Sequence, residues 1–414
     1  MALSYRGKQV LLGLLRKVPG PLRDRVIETV NPLRVAYVNK FKTLRWVTLF
    51  ITNYCNARCQ HCFYWKELNT KKPELSTEEL NKTFGSLVHR LNTVRLSGGE
   101  PFLRKDLPEF FLYLDARKIT TKMGIPTNGM IRMLPPLEQM LAGSRFTHLN
   151  VSVSLDGMEN RHNEFRGVRG GFALAMENLR EMVKLEKHFP RFNVSASVSL
   201  VRDLVHRNGN GRSEAEDLIE YLRNDIGVRS IGYDHIRSAG EDVFSLPPGI
   251  NSQFAPPPKI GETEDGNRHK RSGNIQLDVD EMEEVNERLL KYESNDTLRL
   301  NHRRMQLQVE IKRSRSRIVD CMAGTVDCVI YPDGAVAACE FTTPFANLHD
   351  FRYNLRELWL SPAAEQQRAL TRKCACTHPC HLSDSMAYDT KFLKFYAGTE
   401  ASGHLTNGSL VKPA

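Results

Sequence analysis

Regular alternation between strand-like and helical segments is the feature that most restricts the fold of this chain. From Trp46 onward, short apolar runs alternate with amphipathic stretches. The strand-like runs are residues 46–53, 93–97, 120–126, 147–155, 192–201 and 228–234, and the helical stretches are about 76–91, 106–117, 134–142, 172–188 and 212–225. Strands that are separated by helices form parallel sheets with right-handed crossovers. The periodicity leaves open whether this sheet stays open or curls into a barrel.

A cluster of cysteines follows the first strand-like run. Cys55, Cys59 and Cys62 have the spacing CxxxCxxC within the segment CNARCQHC. A loop at a strand end can fold three thiolates around one metal cluster, and iron–sulfur clusters normally take four ligands. Three cysteines therefore leave one iron open to a substrate or cofactor. The alternatives are a zinc knuckle or three unrelated thiols, but no second pair of zinc-type spacing lies nearby.

This segment resembles the CxxxCxΦC motif of the radical S-adenosylmethionine (SAM) enzymes, with His61 at the position that is usually aromatic. The resemblance implies that the three cysteines hold a 4Fe–4S cluster whose open iron binds the amine and carboxylate of SAM. One electron then cleaves SAM to methionine and a 5′-deoxyadenosyl radical, which abstracts a hydrogen atom from the substrate. The resemblance also implies a partial (β/α)6 barrel, an α/β fold with its chemistry at the C-terminal strand ends.

The later strand ends carry further motifs of these enzymes. The second strand ends in SGGEP and the third in TNG, which look like the GGE and TNG motifs of the family. The fourth ends in SVSLDG, and RHNEFRG follows it. The resemblance implies a SAM site formed by His61, Gly98, Gly99, Glu100, Asn128, Ser152, Ser154, Asp156, Arg166 and Ser199. Glu100 would meet the SAM amino group, and Arg166 the carboxylate, which suits an arginine fork. The alternative is that these residues form simple turns and polar surface.

A second group of cysteines lies within sixty residues near the C-terminus. Its members are Cys321, Cys328, Cys339, Cys374, Cys376 and Cys380, and a strand–Pro-Asp-Gly–strand hairpin pattern precedes Cys339. The order resembles the SPASM or twitch domain of radical SAM enzymes and implies further 4Fe–4S clusters.

Six cysteines without a CxxC pair are too few for the two-cluster form, so one auxiliary cluster is expected. The expected ligands are Cys321, Cys339, Cys376 and Cys380, with Cys374 as a replacement for Cys376. Cys328 is expected to be a core thiol. A zinc site is the alternative, because zinc binds wherever four thiolates converge.

The first 45 residues are unusually basic. They carry ten Lys/Arg against two acidic residues, a net +8 within a chain whose formal net charge is +10. One helical face is formed by Leu22, Val26, Val30, Leu33 and Tyr37. Pro32 predicts a kink or a restart of that helix. Two interpretations stay open: a basic amphipathic segment on an anionic membrane surface, or a helix that packs on the core domain.

These patterns divide the chain into six parts. They are a basic extension (1–45), the radical SAM core (46–237), a flexible Pro-rich and charged loop (238–277), a helical connector (278–317), the auxiliary-cluster domain (318–385) and a tail (386–414). No apolar run approaches the roughly 20 residues of a membrane-spanning helix, and no clean signal peptide is recognised. Cysteines in two groups rather than a disulfide framework favour a cytoplasmic location, or one peripheral to the membrane.

The basic stretch that includes Arg303 and Arg304 lacks interleaved aromatic residues. It therefore indicates a solvated face, and no specific binding of nucleic acid is expected.

The expected function is that of a SAM-dependent enzyme that abstracts hydrogen from a peptide or protein. The alternative is a biosynthetic oxidoreductase for a small molecule, a sugar or a lipid-linked substrate. A third possibility, from another class, is a non-catalytic iron–sulfur scaffold or regulator, but a scaffold has no need of the GGE motif. A flavodoxin or ferredoxin is the expected electron donor. No general acid or base is assigned.

Overall fold

The computed structural model describes residues 18–209, 211–236, 243–244, 275–292 and 296–398. Expectations for the first 17 residues, for most of the loop 238–277 and for the end of the tail lie outside the described residues. In chain order the elements are α1 Gly20–Phe41, β1 Trp46–Thr52, α2 Thr77–Gly85, β2 Leu91–Gly98, α3 Leu107–Ala116, β3 Thr120–Thr127, α4 Leu134–Gly143, β4 His148–Leu155, α5 Glu159–Arg166, α6 Gly171–His188, β5 Phe192–Leu200, α7 Arg202–Val205, α8 Glu214–Tyr221, β6 Ser230–His235, α9 Val279–Leu289, α10 Asp296–Ser314, β7 Asp327–Ile330, β8 Ala335–Ala337, β9 Ala346–Asn347, α11 Leu355–Trp359, α12 Pro362–Thr371, α13 Pro379–Met386 and α14 Thr390–Gly398.

One nine-stranded sheet runs through the molecule in the order β6-β5-β4-β3-β2-β1-β7-β8-β9. The strands β1 to β6 pair in parallel with their neighbours, and β7 also pairs in parallel with β1. The hairpin that continues from β7 adds β8 and β9 in antiparallel pairing. β6 and β9 form the two edges, so the sheet does not close. The expected partial barrel is therefore confirmed.

Local sequence signals explain where several elements begin and end. Ser76 caps α2 in a full capping box, because its side chain accepts from the Glu79 amide while the Glu79 carboxylate accepts from the Ser76 amide. Gly227 ends the helical segment after α8 in the left-handed conformation, at φ 84°. The Pro332-Asp333-Gly334 turn joins β7 to β8, as the hairpin pattern predicts.

The two faces of the parallel sheet differ in polarity. Apolar residues on the outer face pack against the surrounding helices in one continuous core. The inner face is polar, since the alternate residues of these strands include Arg95, Lys122, Asn150, Ser152, Ser154, Ser195, Ser197, Ser199 and Asp234. This alternation places the expected serines of β4 and β5 inside the partial barrel.

Two helices from the C-terminal half reach the inner face. The Arg95 guanidinium on β2 donates to both carboxylate oxygens of Asp384 on α13, at 2.6 and 2.7 Å. Arg304 on α10 donates to Asp234 Oδ1 on β6, at 3.0 Å. Arg303 and Arg304 are 9% and 5% exposed. The expectation of a solvated basic face is therefore wrong at these two residues, which bury their charge beside carboxylates.

The helix α1 continues through Pro32 and packs on the C-terminal end of the chain. Its buried residues are Ile27, Asn31 and Val38. The face expected from periodicity points the other way and is exposed. The helix is packed on the protein, but through a different set of residues. No described helix combines the length and the apolar character that crossing a bilayer requires.

Candidate active site

The loop that carries Cys55, Cys59 and Cys62 begins just after β1 and is fixed to the end of α5. The Arg58 amide donates to the Arg166 carbonyl at 2.8 Å, and the Gln60 amide donates to the Phe165 carbonyl at 2.9 Å. The His61 ring stacks on Phe165, with centroids 5.1 Å apart. The loop is therefore held by backbone hydrogen bonds and ring packing on a neighbouring βα unit.

The three thiols of this loop lie near one another, and all three residues are half-buried. All are free cysteines, and the Cys62 thiol interacts electrostatically with both Cys55 and Cys59. The Ala57 amide donates to Cys55 Sγ at 3.4 Å. Burial and the nearby Cys59 raise the pKa of Cys55 to about 12, and burial also raises the pKa of Cys59. A cationic cluster would offset this penalty, because metal binding requires and stabilises thiolates. The residues therefore fit a cluster with three protein ligands.

Gly98 and Gly99 bring the end of β2 against the chain that leads into Cys55. Gly98 has φ 108°, and a Cβ on Gly99 would lie 2.0 Å from the Tyr54 carbonyl oxygen. The Gly99 amide donates to the Thr52 carbonyl at 2.8 Å, and the Glu100 amide to the Tyr54 carbonyl at 2.7 Å. Only glycine permits this approach. The motif thus positions the cysteine loop, whatever else it contacts.

The Glu100 carboxylate is buried and ties two strand ends together. It accepts from Thr127 Oγ1 at 2.8 Å, from the Asn128 amide at 2.8 Å and from the Phe102 amide at 3.2 Å. Burial raises the pKa of Glu100. A carboxylate has about four lone-pair sites, so one acceptor position remains beside the cysteine loop.

Asn128 links the TNG turn to the cysteine loop. Its Nδ2 donates to Asn56 Oδ1 at 2.7 Å, and its Oδ1 accepts from the Met130 amide at 2.7 Å. Asn56 in turn donates to the Met130 carbonyl at 3.1 Å. The turn and the loop are thereby one hydrogen-bonded unit.

Asp156 and Arg166 form a buried ion pair behind the thiols. Arg166 Nε donates to Asp156 Oδ2 at 2.5 Å, and both side chains are buried. Burial alone would raise the pKa of Asp156, but Arg166, His61, His162 and the Ser199 hydroxyl together lower it. Arg166 also interacts electrostatically with Cys59 and Cys55. The expected residues Asp156, Arg166 and Ser199 therefore meet next to the cysteines.

Ser152 and Ser154 lie on the inner face two strand positions apart, opposite Ser195 and Ser197 of β5. Both are half-buried.

Four of the later cysteines collect around a second centre. Cys339 is buried in one apolar cluster, against which Cys321, Cys374 and Cys376 pack. Cys321 interacts electrostatically with Cys376 and Cys339, and the Phe341 amide donates to Cys339 Sγ at 3.4 Å. Such thiols with an amide donor fit an iron–sulfur cluster.

The remaining two C-terminal cysteines have different neighbours. Cys380 lies at the start of α13, where its thiol interacts electrostatically with Arg95. Cys328 is fully buried in β7 and packs in the core on the outer face of the sheet, as expected for a core thiol.

The second centre contains donors that sequence patterns did not identify. Donor atoms of Cys339, Glu340, His378 and His381 all lie within 4.8 Å of one another, and all four residues are buried. The Asp327 carboxylate contacts His381 Nδ1 at 2.8 Å. Carboxylates orient metal-binding histidines in this way. In the sequence, only the position of His381 directly after Cys380 could have suggested this histidine as a ligand.

One aromatic cluster lies between the two cysteine groups. Phe50 of β1 packs against Tyr64 and Tyr331, with ring centroids 4.7 and 5.2 Å away. Cys62 of the first group and Cys339 of the second both contact this apolar cluster. The two centres therefore share one packed interior.

Comparisons with known proteins identify a family for part of this chain. A family model described as "Radical SAM superfamily" matches residues 49–189. The mitochondrial GTP 3′,8-cyclase of Arabidopsis thaliana is 32% identical over 210 residues, which are 49% of this chain and 50% of that protein. The sporulation killing factor maturation protein SkfB of Bacillus subtilis (strain 168) is 22% identical over 342 residues, which are 81% of this chain and 70% of that protein.

A solved structure has the same fold. The crystal structure of Streptococcus suis SuiB bound to precursor peptide SuiA has a TM-score of 0.55 and 14% sequence identity, and the match covers 81% of this chain and 71% of that one. The chain spans half the length of the plant cyclase and covers a larger part of the bacterial proteins.

Four features are consistent with one family. They are the family match, the three thiols after β1, the GGE segment and the cysteine-rich hairpin domain. Residues 49–189 of this chain form a radical SAM domain, and a cysteine-rich hairpin domain follows it.

Proposed function

We propose that this protein is a radical SAM enzyme that abstracts a hydrogen atom from a peptide or protein. The observation that carries the proposal is the meeting of three loop thiols with the buried Asp156–Arg166 pair at the C-terminal strand ends. When a 4Fe–4S cluster and SAM are bound, they supply the one-electron cleavage that generates the hydrogen-abstracting radical.

In this proposal, Cys55, Cys59 and Cys62 hold the catalytic cluster. Their loop needs little rearrangement on loading, because α5 already fixes its backbone. Asp156 neutralises part of the positive charge of Arg166. The positive charge that remains near the thiolates reduces the repulsion among them. The burial of this pair keeps water away from the side of the site where a radical would form.

Glu100 supplies the binding position for the SAM amine. Its carboxylate is buried, is already oriented by three donors and interacts electrostatically with the Cys55 thiol. Gly98 and Gly99 offer their backbone to the same ligand. Ser152, Ser154, Ser199 and Asn128 line the inner face or the adjoining turn, where they provide hydrogen bonds to the rest of SAM or to substrate.

The auxiliary cluster is assigned to Cys321, Cys339 and Cys376. The fourth position belongs to Cys374 or Cys380. Cys374 is a candidate because its side chain lies beside that of Cys376. Cys380 is a candidate because its position matches the spacing of the family motif.

A peptide or protein substrate is supported by the extent of the similarity. The alignment with SkfB, which is named as a maturation protein, runs over 81% of this chain, whereas the alignment with the cyclase covers 49%.

A small polar substrate is the second candidate. The local identity of 32% with GTP 3′,8-cyclase is higher than the 22% identity with SkfB. The inner face carries Lys122, a positive charge that would suit an anionic small molecule, whereas Arg95 is already paired with Asp384. A lipid-linked substrate needs an apolar channel, and the described inner face of β3 to β6 is polar.

A flavodoxin or ferredoxin is the proposed reductant. Nine free cysteines support a reducing, cytoplasmic location.

Anaerobic reconstitution tests the enzyme class. Iron and sulfide are counted in the wild type and in a Cys55/Cys59/Cys62→Ala triple variant, and SAM cleavage is assayed with dithionite. We expect about eight irons to fall to about four, with loss of 5′-deoxyadenosine. Wild-type protein that binds about four irons together with zinc would contradict the auxiliary cluster. A fully loaded protein that never cleaves SAM would point to a scaffold.

Deuterium transfer tests the substrate class. The reconstituted enzyme is incubated with unlabelled SAM and a deuterated host extract that has been divided by ultrafiltration into peptide and small-molecule pools. Deuterium in 5′-deoxyadenosine from the peptide pool alone supports the first candidate. Deuterium in 5′-deoxyadenosine from the small-molecule pool alone would contradict a peptide substrate and support the small polar substrate.

A further inference from the structure

The outer face of α1 is an exposed apolar stripe. Leu22, Val26, Val30, Leu33, Tyr37 and Phe41 recur every three or four residues and are between 39% and 68% exposed. They are six of the thirteen large apolar side chains that are exposed among the described residues. Isolated exposed apolar residues are ordinary, but a continuous stripe of this kind marks a contact surface.

The opposite face of α1 is firmly attached to the C-terminal end of the protein. Asn31 Nδ2 donates to the Tyr388 carbonyl at 2.7 Å, and Arg34 Nη1 donates to the Ala387 carbonyl at 2.6 Å. The Arg34 guanidinium also stacks over the Tyr388 ring at 4.1 Å. The outer stripe is therefore presented by a fixed helix and does not depend on local unfolding.

Positive charge accompanies the stripe. The described helix α1 carries Arg23, Arg25, Arg34 and Lys40 against Asp24 and Glu28, a net +2. Arg25 is exposed next to Val26, and the Lys40 ammonium lies 5.6 Å from the centre of the exposed Phe41 ring. An apolar helical face with aromatic residues and basic neighbours fits the boundary between the headgroups and acyl chains of an anionic bilayer.

The shape and charge of the stripe disfavour a second copy of the chain as its partner. An isologous dimer would place the same basic segment against itself, and the two copies would repel each other. The stripe is a single ridge about 28 Å long, at 1.5 Å per residue. A ridge suits a flat, deformable surface better than a matching protein groove.

We propose that α1 docks this protein on an anionic phospholipid surface, with its axis parallel to the membrane plane and its outer stripe inserted among the headgroups. The contact with Tyr388 and Ala387 stays intact in the docked state. This docking is independent of the proposed catalysis and goes beyond it.

Vesicle flotation of the full-length, cluster-loaded protein tests the proposal. The probes are vesicles of phosphatidylcholine alone and vesicles of phosphatidylcholine mixed with phosphatidylglycerol. Wild type should float with the mixed vesicles and detach at high salt. A Val30→Ser/Leu33→Ser double variant should bind at least about tenfold more weakly, because each buried apolar group contributes to insertion. An Arg25→Gln/Lys40→Gln variant should show a similar loss on anionic vesicles.

A Leu360→Ser variant is the matched control. Leu360 is 53% exposed on a different part of the surface, so its binding should equal that of wild type. Iron content and melting temperature should be the same in all variants, since every changed side chain is exposed.

Three results would overturn the proposal. The first is wild-type protein that does not bind anionic vesicles. The second is a stripe variant that binds as tightly as wild type, because the binding surface would then lie elsewhere. The third is a wild-type dimer in light scattering that does not bind vesicles and that the Val30→Ser/Leu33→Ser change converts to a monomer. That result would assign the stripe to self-association.

Discussion

Arg166 donates a hydrogen bond to Asp156 across a distance of 2.5 Å, in a position where neither side chain reaches solvent. The backbone carbonyl of the same arginine accepts from the Arg58 amide in the cysteine loop. One residue thus neutralises a buried carboxylate and holds the segment that carries the cluster ligands.

Replacing Arg166 by Gln should destabilise the protein strongly. The change leaves Asp156 buried without its counter-charge, which costs about 3 kcal/mol or more. Chemical denaturation measures the loss. Adding Asp156→Asn in the same chain should recover part of it, because the uncompensated charge is then gone. Arg161→Gln breaks a more exposed pair with Glu214 and should cost at most about 1 kcal/mol. Equal effects at the two arginines would contradict this account.

Gly99→Ala should prevent the cysteine loop from taking its place. The added Cβ would lie 2.0 Å from the Tyr54 carbonyl oxygen, and both are backbone-fixed. We expect loss of the catalytic cluster and a lower melting temperature, measured by iron analysis and calorimetry. Gly124→Ala is the matched control, because a Cβ there meets nothing within 4 Å. If the two variants load iron equally, the close approach is not needed.

Cys339→Ala should remove the auxiliary cluster, and Cys328→Ala should not. Both thiols are buried and only eleven positions apart, but Cys339 faces the other cysteines while Cys328 faces the apolar core. Iron should fall from about eight atoms to about four in the first variant and remain near eight in the second. Comparing Cys374→Ala with Cys380→Ala in the same assay identifies the fourth ligand. An unchanged iron count in Cys339→Ala would remove this residue from the site.

Acid should destabilise the protein partly through His235. Burial lowers the pKa of this histidine from 6.5 to about 4. Below about pH 6.5 the unfolded chain takes up a proton that the folded protein does not accept until about pH 4, so stability is lost as the pH falls through that window. The full shift corresponds to about 3 kcal/mol.

The His235→Gln variant, which keeps a partner for Asn286, should therefore lose less stability than wild type between neutral pH and pH 4. Denaturation curves at matched iron content measure the difference. The exposed His89→Gln change serves as control. A wild-type slope in the His235 variant would show that another group carries the effect.

The sheet and the catalytic loop were largely predictable from the sequence, because their signals are local. Period-two apolar runs mark β1 to β6, the Ser76–Glu79 capping box marks the start of α2, and CxxxCxxC follows a strand end. Asp156 and Arg166 are both expected at the SAM site from the sequence, but the sequence does not predict that they pair with each other.

Features that depend on long-range packing were not predictable. The pair formed by Asp327 and His381 joins residues 54 positions apart, and no periodicity marks it. Periodicity located a helix at residues 20–41, but α1 has apolar residues on both faces, and only the tertiary contact with Tyr388 decides which face is buried. Arg304 was expected in solvent because a single sequence does not reveal its partner Asp234.

The strand β1 pairs with β2 on one side and with β7 on the other. The strand that leads to Cys55 is therefore also the strand on which the hairpin of Cys339 is built, and Phe50 fills the space between them. Within the described residues one continuous sheet joins the two cysteine groups, so their separation is set by β1 and its neighbours. Any electron exchanged between them would cross a fixed tunnelling gap, and its rate would depend on the potentials of the clusters and not on domain motion.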